Sequence, residues 1–348
     1  MSESALVRVL VIDDSAYVRK VVTQMLSRSP FIEVVGTARD GRDALEQVRT
    51  LRPDVVTCDL IMPELDGVAF VREQMAREPV AIVIVSVASE SGELVLSALD
   101  AGAVDFVQKP TALASDRLLD MADDLIAKVK AAAASQVRRT VVTVPAVDGG
   151  GLRSVAGRRT SDIVVVGIST GGPQALKTLI PRLPAELSVP VAVVLHMPVG
   201  YTELYARKLN EVSALTVCEA EDGAPVEAGC VLIAPAGRHL SLRRDGFGSV
   251  VTHLDVKPLD TPHKPSVDVL FQSAADVYGS RVLGVVMTGM GADGREGAAW
   301  IKAKGGTILT ESEESSVVYG MPRAVVEAGL SDRSVPLQLM AEAILELL

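Results

Sequence analysis

Two successive alternations of short apolar segments with amphipathic stretches constrain the fold of this chain more than any other feature. Apolar runs such as residues 7–12, 55–58 and 80–85 alternate with stretches such as 16–27, whose apolar residues recur at helical spacing. Five such rounds fill the first part of the chain. A repeated strand and helix predicts a parallel sheet that is covered by helices on both faces.

A change of composition separates the two alternations. Residues 136–161 carry clustered arginines, Pro145 and the run Gly149–Gly151, without periodic apolar spacing, and this predicts a linker. A second alternation begins at residue 163. We therefore predict an α/β protein with two doubly wound, mostly parallel sheets. The predicted domains are residues 5–130 and 162–348, with residues 131–161 as the linker.

Composition excludes several classes of function. The net charge of −10 opposes nucleic-acid binding and a polybasic membrane anchor. No apolar run reaches the roughly 18 residues that a membrane span needs, and the first ten residues lack the features of a signal peptide. The three cysteines are scattered, which fits a reducing compartment. We expect a cytoplasmic protein without direct membrane insertion.

Charged and polar side chains stand where the predicted strands of the first sheet end. These positions are Asp13, Asp14, Asp59, Ser86 and Lys109. Ligands of parallel sheets bind beyond the carboxyl ends of the strands. Three carboxylates there favour a hard divalent cation such as Mg²⁺, and one carboxylate can then attack a phosphoryl group. Each acid alone could instead be a helix N-cap or a turn residue, but five successive strand ends disfavour that reading.

The strings VLVIDDS, CDLIMPELDG and GAVDFVQKP resemble those of response-regulator receiver domains, across residues 5–130. The resemblance implies a flavodoxin-like domain that is phosphorylated on Asp59. It also implies that Asp13, Asp14 and Asp59 hold Mg²⁺, with the carbonyl of Ile61 as a further ligand.

The same resemblance assigns the remaining positions of the receiver site. Ser86 and Lys109 would contact the phosphoryl group. Phe106 occupies the position of the aromatic switch residue, where other receivers frequently have tyrosine. Because phenylalanine has no hydroxyl, a hydroxyl-dependent form of the switch is excluded.

Ser169 lies in the string VVVGISTGGPQAL, which contains the G-x-S-x-G pattern of a nucleophile elbow. The pattern could also be a plain glycine-rich turn between a strand and a helix. A nucleophilic serine needs a base. Of the four histidines, His196 follows a predicted strand and so stands at the same sheet edge, which makes it the preferred base. His239 is predicted to open a strand, His253 to lie inside or at the end of a strand, and His263 to lie in a loop.

The orienting acid is predicted to be Asp293, in a glycine-rich loop after another strand. The Met290 N–H of that loop is a candidate oxyanion donor. Asp293 could alternatively be the N-cap of the next helix. The chain order Ser…His…Asp differs from the Ser…Asp/Glu…His order of α/β-hydrolases, so the elbow pattern does not indicate that family.

The strings GISTGGPQAL, APAGRHL, KPSVDVLF, MTGMGADG and YGMPRAV resemble those of the chemotaxis receptor methylesterases, the CheB family. The resemblance covers nearly all of residues 162–347. It implies a Rossmann-like domain with the triad Ser169, His196 and Asp293, and with Thr170 and Met290 lining the active site.

The two resemblances together imply a phosphorylation-regulated serine hydrolase of two-component chemotaxis signalling. Its expected reactions are demethylation of receptor glutamate methyl esters and deamidation of receptor glutamines. Expected partners are methyl-accepting chemotaxis receptors and a chemotaxis histidine kinase, and the chain is expected to be monomeric. Mg²⁺ would serve phosphorylation, and no cofactor would serve the esterase. A binding-only second domain or an unrelated small-molecule esterase are the alternatives; the complete triad and the fused receiver argue against them.

Overall fold

The computed structural model describes residues 6–87, 92–109, 115–135 and 161–348. They form two α/β units, each built on a parallel sheet, so the predicted fold class is confirmed. The predicted linker lies mostly outside the described residues, and its helical start is the end of a helix that runs to Ala134. No helix in the described ranges is long and apolar enough to cross a membrane.

The first sheet has five parallel strands in the order β2-β1-β3-β4-β5. The strands are β1 (Val7–Ile12), β2 (Ile32–Ala38), β3 (Val55–Cys58), β4 (Ala81–Val87) and β5 (Asp105–Lys109). The helices are α1 (Ala16–Leu26), α2 (Gly41–Leu51), α3 (Gly67–Arg77), α4 (Gly92–Asp100) and α5 (Ser115–Ala134).

Alternate residues of β1 show how this sheet is covered. Val9 and Val11 pack in one core with Leu26 of α1. Leu10 and Ile12 pack in the other core with α2. Because successive side chains of a strand point to opposite faces, an entirely apolar strand is stable only when both faces are covered.

The second sheet has seven parallel strands in the order β14-β13-β12-β6-β7-β9-β8. The strands are β6 (Ile163–Ile168), β7 (Val191–Leu195), β8 (Thr216–Glu219), β9 (Cys230–Ile233), β12 (Val282–Val286), β13 (Thr307–Glu311) and β14 (Arg333–Val335). The helices are α6 (Gly172–Leu179), α7 (Thr202–Glu211), α8 (Val267–Tyr278), α9 (Arg295–Ala303), α10 (Met321–Glu327) and α11 (Leu337–Leu345).

Strands β10 (His239–Arg244) and β11 (Val250–Asp255) form a separate antiparallel hairpin. The hairpin therefore does not join the parallel sheet. The edge strands β8 and β14 have four and three residues. They were not predicted, because such short segments carry little periodic signal.

The strand order of the second sheet reverses beside β6. The chain passes from β6 to β7 on one side, while β12 pairs with β6 on the other. A crevice forms at such a switch point beyond the carboxyl ends of the strands. The residues that follow β6, β7 and β12 are therefore brought together.

The two units share one apolar cluster. Leu96 and Leu99 of α4 belong to the same buried core as Tyr205 and Leu209 of α7. Helix α4 packs against both α6 and α7. The first unit is thus seated next to the crevice of the second.

Candidate active site

The acidic edge of the first sheet has the geometry of a cation site. Oxygens of Asp13, Asp14 and Asp59 lie within 4.8 Å of one another. The Lys109 ammonium lies 2.6 Å from Asp13 Oδ2 and 3.1 Å from Asp59 Oδ2. Burial raises the pKa of Asp59 and the nearby Asp13 adds to the shift, while Lys109 opposes it. Hard oxygen donors with excess buried negative charge fit Mg²⁺.

The other residues predicted for the receiver site differ in their exposure to solvent. Ser86 is buried near the end of β4, and Phe106 is buried in β5. Ile61 is 53% exposed in the loop after Asp59. That loop is closed by Gly67, where an added Cβ would lie 2.1 Å from the carbonyl oxygen of Asp59. A side chain at position 67 would therefore displace the predicted phosphoryl acceptor.

Ser169 sits on the tight turn between β6 and α6, as the elbow pattern predicts. Its N–H donates to the carbonyl of Thr288 at 3.0 Å, and its own carbonyl accepts from Gly172 at 2.6 Å. A Cβ on Gly289 would lie only 2.8 Å from Ser169 Cβ. The turn after β6 and the loop after β12 thus touch at this glycine.

His196 directly follows β7 and is tied to the same turn. Its backbone N–H donates to the carbonyl of Ile168 at 3.1 Å. Its Nε2 lies 2.9 Å from Asp293 Oδ2, and the two side chains are only 10% and 8% exposed. Nδ1 is buried and has no hydrogen-bond partner among the described residues. The structure therefore brings the predicted base and acid together and leaves one ring nitrogen available.

Asp293 also organises the start of α8. It accepts from Val267 N at 2.8 Å, from Asp268 N at 3.0 Å and from Ser266 Oγ at 2.9 Å. Burial alone would raise its pKa, but the hydrogen bond and charge of His196, followed by the backbone N–H groups of Val267 and Asp268, lower the pKa of Asp293 below its ordinary value. The alternative that Asp293 caps the following helix is wrong, because the N-cap of α9 is Gly294.

The start of α9 is served instead by Asp268 of α8. Asp268 Oδ1 accepts from Gly294 N at 2.9 Å and Gly297 N at 2.7 Å. Burial raises the pKa of Asp268 to about 6, with the negative charge of Asp293 adding to the shift. Asp293 thus stabilises the N-terminus of α8, and Asp268 stabilises the N-terminus of α9. These contacts fix the backbone that carries Asp293. Sequence reasoning missed Ser266 and Asp268, although both lie in the quoted string KPSVDVLF.

The remaining two predicted active-site residues, Thr170 and Met290, lie in the segments that follow β6 and β12. No hydrogen bond joins the Met290 N–H to another described residue. Thr170 is buried, and its hydroxyl donates to Asp105 Oδ2 of β5 at 2.6 Å. The first unit therefore reaches the residue next to Ser169.

Glu311, at the end of β13, was not predicted as part of the site. It is completely buried and accepts from Thr288 N at 2.8 Å and from Ser315 Oγ at 3.0 Å. Thr288 in turn donates its hydroxyl to the Thr170 carbonyl at 2.9 Å. Glu311 thus supports the backbone against which the Ser169 turn rests.

Comparisons with known proteins agree with this architecture. A sequence model described as CheB methylesterase matches residues 164–344. One described as response regulator receiver domain matches residues 9–123. The fold and the site thus define a receiver domain joined to an α/β domain that assembles a serine, a histidine and an aspartate at one crevice.

Curated relatives match this chain over nearly its whole length. A protein-glutamate methylesterase/protein-glutamine glutaminase 5 of Myxococcus xanthus is 52% identical over 95% of both chains. A protein of the same activity name from Symbiobacterium thermophilum is 47% identical over 97% of this chain and 96% of its own. The crystal structure of the Thermotoga maritima CheB methylesterase catalytic domain is 43% identical, with a TM-score of 0.53, over 54% of this chain and 99% of its own. The chain belongs to the CheB methylesterase family.

The buried carboxyl of Glu311 generates a prediction about stability. Burial raises the pKa of Glu311 to about 7, so the folded state binds more protons than the unfolded state and loses stability as pH rises from about 4.5 through 7. Glutamine can keep both contacts, since its amide accepts from Thr288 and donates to the Ser315 hydroxyl oxygen. Glu311→Gln should therefore be more stable than wild type at pH 8, by on the order of 2 kcal/mol, and similar near pH 5.

Denaturant unfolding of both proteins at several pH values measures this difference. The exposed Glu314→Gln is the matched control and should show no such pH-dependent gain. A stability difference between Glu311→Gln and wild type that is the same at pH 5 and pH 8 would contradict the assignment.

Proposed function

We propose that this protein is a phosphorylation-regulated serine hydrolase that removes methyl groups from glutamate methyl esters of chemotaxis receptors. The observation that carries the proposal is the buried His196–Asp293 hydrogen bond beside the Ser169 turn. The names of the full-length relatives support the activity and add deamidation of glutamine. Both reactions are acyl transfers that one nucleophile can perform.

The reaction begins at the free nitrogen of His196. Asp293 accepts a hydrogen bond from Nε2–H, which fixes the tautomer in which Nδ1 is the base. Nδ1 takes the Ser169 proton as the Ser169 oxygen attacks the ester carbonyl. In the well-known serine proteases, Nε2 faces the serine and Nδ1 faces the aspartate. The roles are unchanged, because either nitrogen can accept the proton.

The tetrahedral intermediate needs donors for its negative oxygen. The Met290 N–H is the proposed donor, and Thr170 lines the same side of the crevice. His196 returns its proton to the leaving oxygen, and methanol departs. Water then hydrolyses the acyl-enzyme through the same base. With a glutamine side chain the leaving group is ammonia, and the product is again glutamate.

Removal of the nucleophile tests the proposal. Ser169→Ala should lower methanol release from methylated receptors by about 10⁴-fold or more. The matched control is Ser249→Ala, an exposed serine of the hairpin turn, which should keep wild-type activity. Unchanged circular dichroism and unfolding would show that both variants fold. Retained methanol release by Ser169→Ala would contradict the role of Ser169.

The receiver half is proposed to be phosphorylated on Asp59 by a chemotaxis histidine kinase. Asp13, Asp14 and Asp59, with the Ile61 carbonyl, would hold Mg²⁺. Bound there, Mg²⁺ would offset the charge of the phosphoryl oxygens. The carboxylate of Asp59 attacks the phosphorus of the kinase phosphohistidine, the phosphorus–nitrogen bond breaks, and the kinase histidine leaves as the free imidazole.

Two further residues complete the phosphoryl site. Lys109 already lies 3.1 Å from Asp59 and would contact the phosphoryl group. Ser86 would contact it from the end of β4. Phe106 then transmits the change as the switch residue.

Labelling with a small radioactive acyl phosphate tests the acceptor. Asp59→Asn should abolish incorporation of phosphate, because an amide is not a nucleophile towards phosphorus. Asp54→Asn is the matched control, since Asp54 is exposed at the opposite end of β3, and it should label like wild type. Label that persists in Asp59→Asn would show that another residue is the acceptor.

The contact between the domains gives the proposed means of regulation. Asp105 Oδ2 accepts from Thr170 next to the nucleophile. Phe106 packs on Tyr201 with ring centroids 4.7 Å apart. Lys177 of α6 pairs with Asp100 of α4 at 2.8 Å. The predicted switch residue thus touches the catalytic domain directly.

Asp105 is the central residue of this contact. Its Oδ1 lies 3.5 Å from Lys128 of α5, while its Oδ2 accepts from Thr170. We infer that the unphosphorylated receiver restricts the crevice and that phosphorylation at Asp59 weakens the contact. A bias of a few kcal/mol between two arrangements is sufficient for such a switch.

Loss of the Thr170 contact should therefore activate the enzyme. Asp105→Ala should raise methanol release without phosphodonor several-fold and reduce the further gain from an acyl phosphate. Asp124→Ala is the matched control, because Asp124 also pairs with Lys128 but does not contact Thr170. The control should stay close to wild type. Equal basal rates for Asp105→Ala and wild type would contradict the proposed restraint.

The remaining proposals concern the setting of the enzyme. The substrates are side chains on methyl-accepting chemotaxis receptors, and the protein acts in the cytoplasm as a monomer. It needs no cofactor for the esterase reaction. The domain boundaries 5–130, 131–161 and 162–348 are proposed to separate the two activities.

A further inference from the structure

His263 lies face to face with the proposed catalytic base. The ring centroids of His196 and His263 are 4.2 Å apart, with an angle of 25° between the planes. His263 belongs to the loop between β11 and α8. It takes no part in the triad, the oxyanion donor or the receiver site described above.

The loop that carries His263 is held by a second, fully buried histidine. His239, at the start of β10, accepts from Ser266 N through Nδ1 at 3.1 Å. Its Nε2 lies 3.1 Å from the Pro258 carbonyl and 3.2 Å from the Thr261 hydroxyl. The loop is thus fastened on both sides of residue 263, and the stacked ring is held in place by buried contacts.

His196 needs a second restraint because Asp293 holds only one edge of its ring. A single hydrogen bond at Nε2 leaves the ring able to tilt about that contact, and Nδ1 has no described partner to prevent it. A flat ring against its face opposes this tilt. A displacement on the order of 1 Å at a reacting group can lower the rate about 100-fold.

The protonation state of His263 also suits its position beside His196. Desolvation of the His263 ring lowers its pKa, and the charge of the neighbouring His196 lowers it further, to about 4. His263 is therefore neutral near pH 7. It does not repel the imidazolium that forms on His196 during the reaction.

We propose that His263 is a positioning residue that keeps the His196 ring in its reactive orientation by stacking on its face. The proposal rests on the proposed function, since it assigns His196 as the base. It requires a flat ring at position 263 and no proton transfer by that ring.

Replacement by alanine and by phenylalanine in the full-length protein separates stacking from proton transfer. His263→Ala should lower kcat for methanol release about 10-fold with little change in KM. His263→Phe keeps a flat ring and should restore kcat to within about threefold of wild type. The control His253→Ala removes a histidine of the hairpin that pairs with Asp222, and this variant should have an unchanged kcat.

A second readout does not depend on activity. The ring protons of His196 should carry an upfield ring-current shift in the NMR spectra of wild type and His263→Phe, and lose it in His263→Ala. If the wild-type protein released no methanol, the proposed function would be overturned, but the NMR experiment would still test the stacking. The positioning role is overturned if His263→Ala keeps wild-type kcat, if His263→Phe is as slow as His263→Ala, or if the ring protons do not respond.

Discussion

The hydrogen bond between His196 Nε2 and Asp293 Oδ2, 2.9 Å long and nearly enclosed, is the contact on which the site depends. It joins the ends of β7 and β12, and both flank the Ser169 turn after β6. The same carboxylate accepts from the first amides of α8. Asp293 therefore orients the His196 ring and anchors a helix at once, so its position is fixed by the fold as well as by the histidine.

The receiver domain meets this site at Thr170, the residue next to Ser169. The Thr170 hydroxyl donates to Asp105, and the adjacent Phe106 packs on Tyr201. The acidic cluster around Asp59 lies at the carboxyl end of the same sheet whose strand β5 carries Asp105 and Phe106. Lys109 at the end of β5 contacts Asp59, and Asp105 and Phe106 stand at the start of the same strand. Strand β5 therefore connects the acidic cluster to the crevice. The proposed regulation needs no distant relay.

The fold and the main groups of the site could be predicted because they obey local rules. Apolar strand runs set the two parallel sheets. Ser169 and His196 stand directly after strands, and Asp293 lies in the glycine-rich loop that follows a third strand. The supporting residues could not be predicted in this way. Asp268 serves a helix 26 residues further on, and Glu311 supports Thr288 from the neighbouring strand. His263 meets His196 only after the loop folds back. Such contacts depend on tertiary packing, which spacing along the chain does not report.

We propose above all that Asp293 fixes His196 in the tautomer that leaves Nδ1 as the base. Long-range ¹H–¹⁵N correlation spectra of protein with ¹⁵N-labelled histidine report the protonation of each ring nitrogen directly, and a His196→Gln variant assigns the signals. We expect a proton on Nε2, shifted downfield by the bond to Asp293, and no proton on Nδ1. A proton on Nδ1, or a ring that averages between the two tautomers, would contradict the proposal.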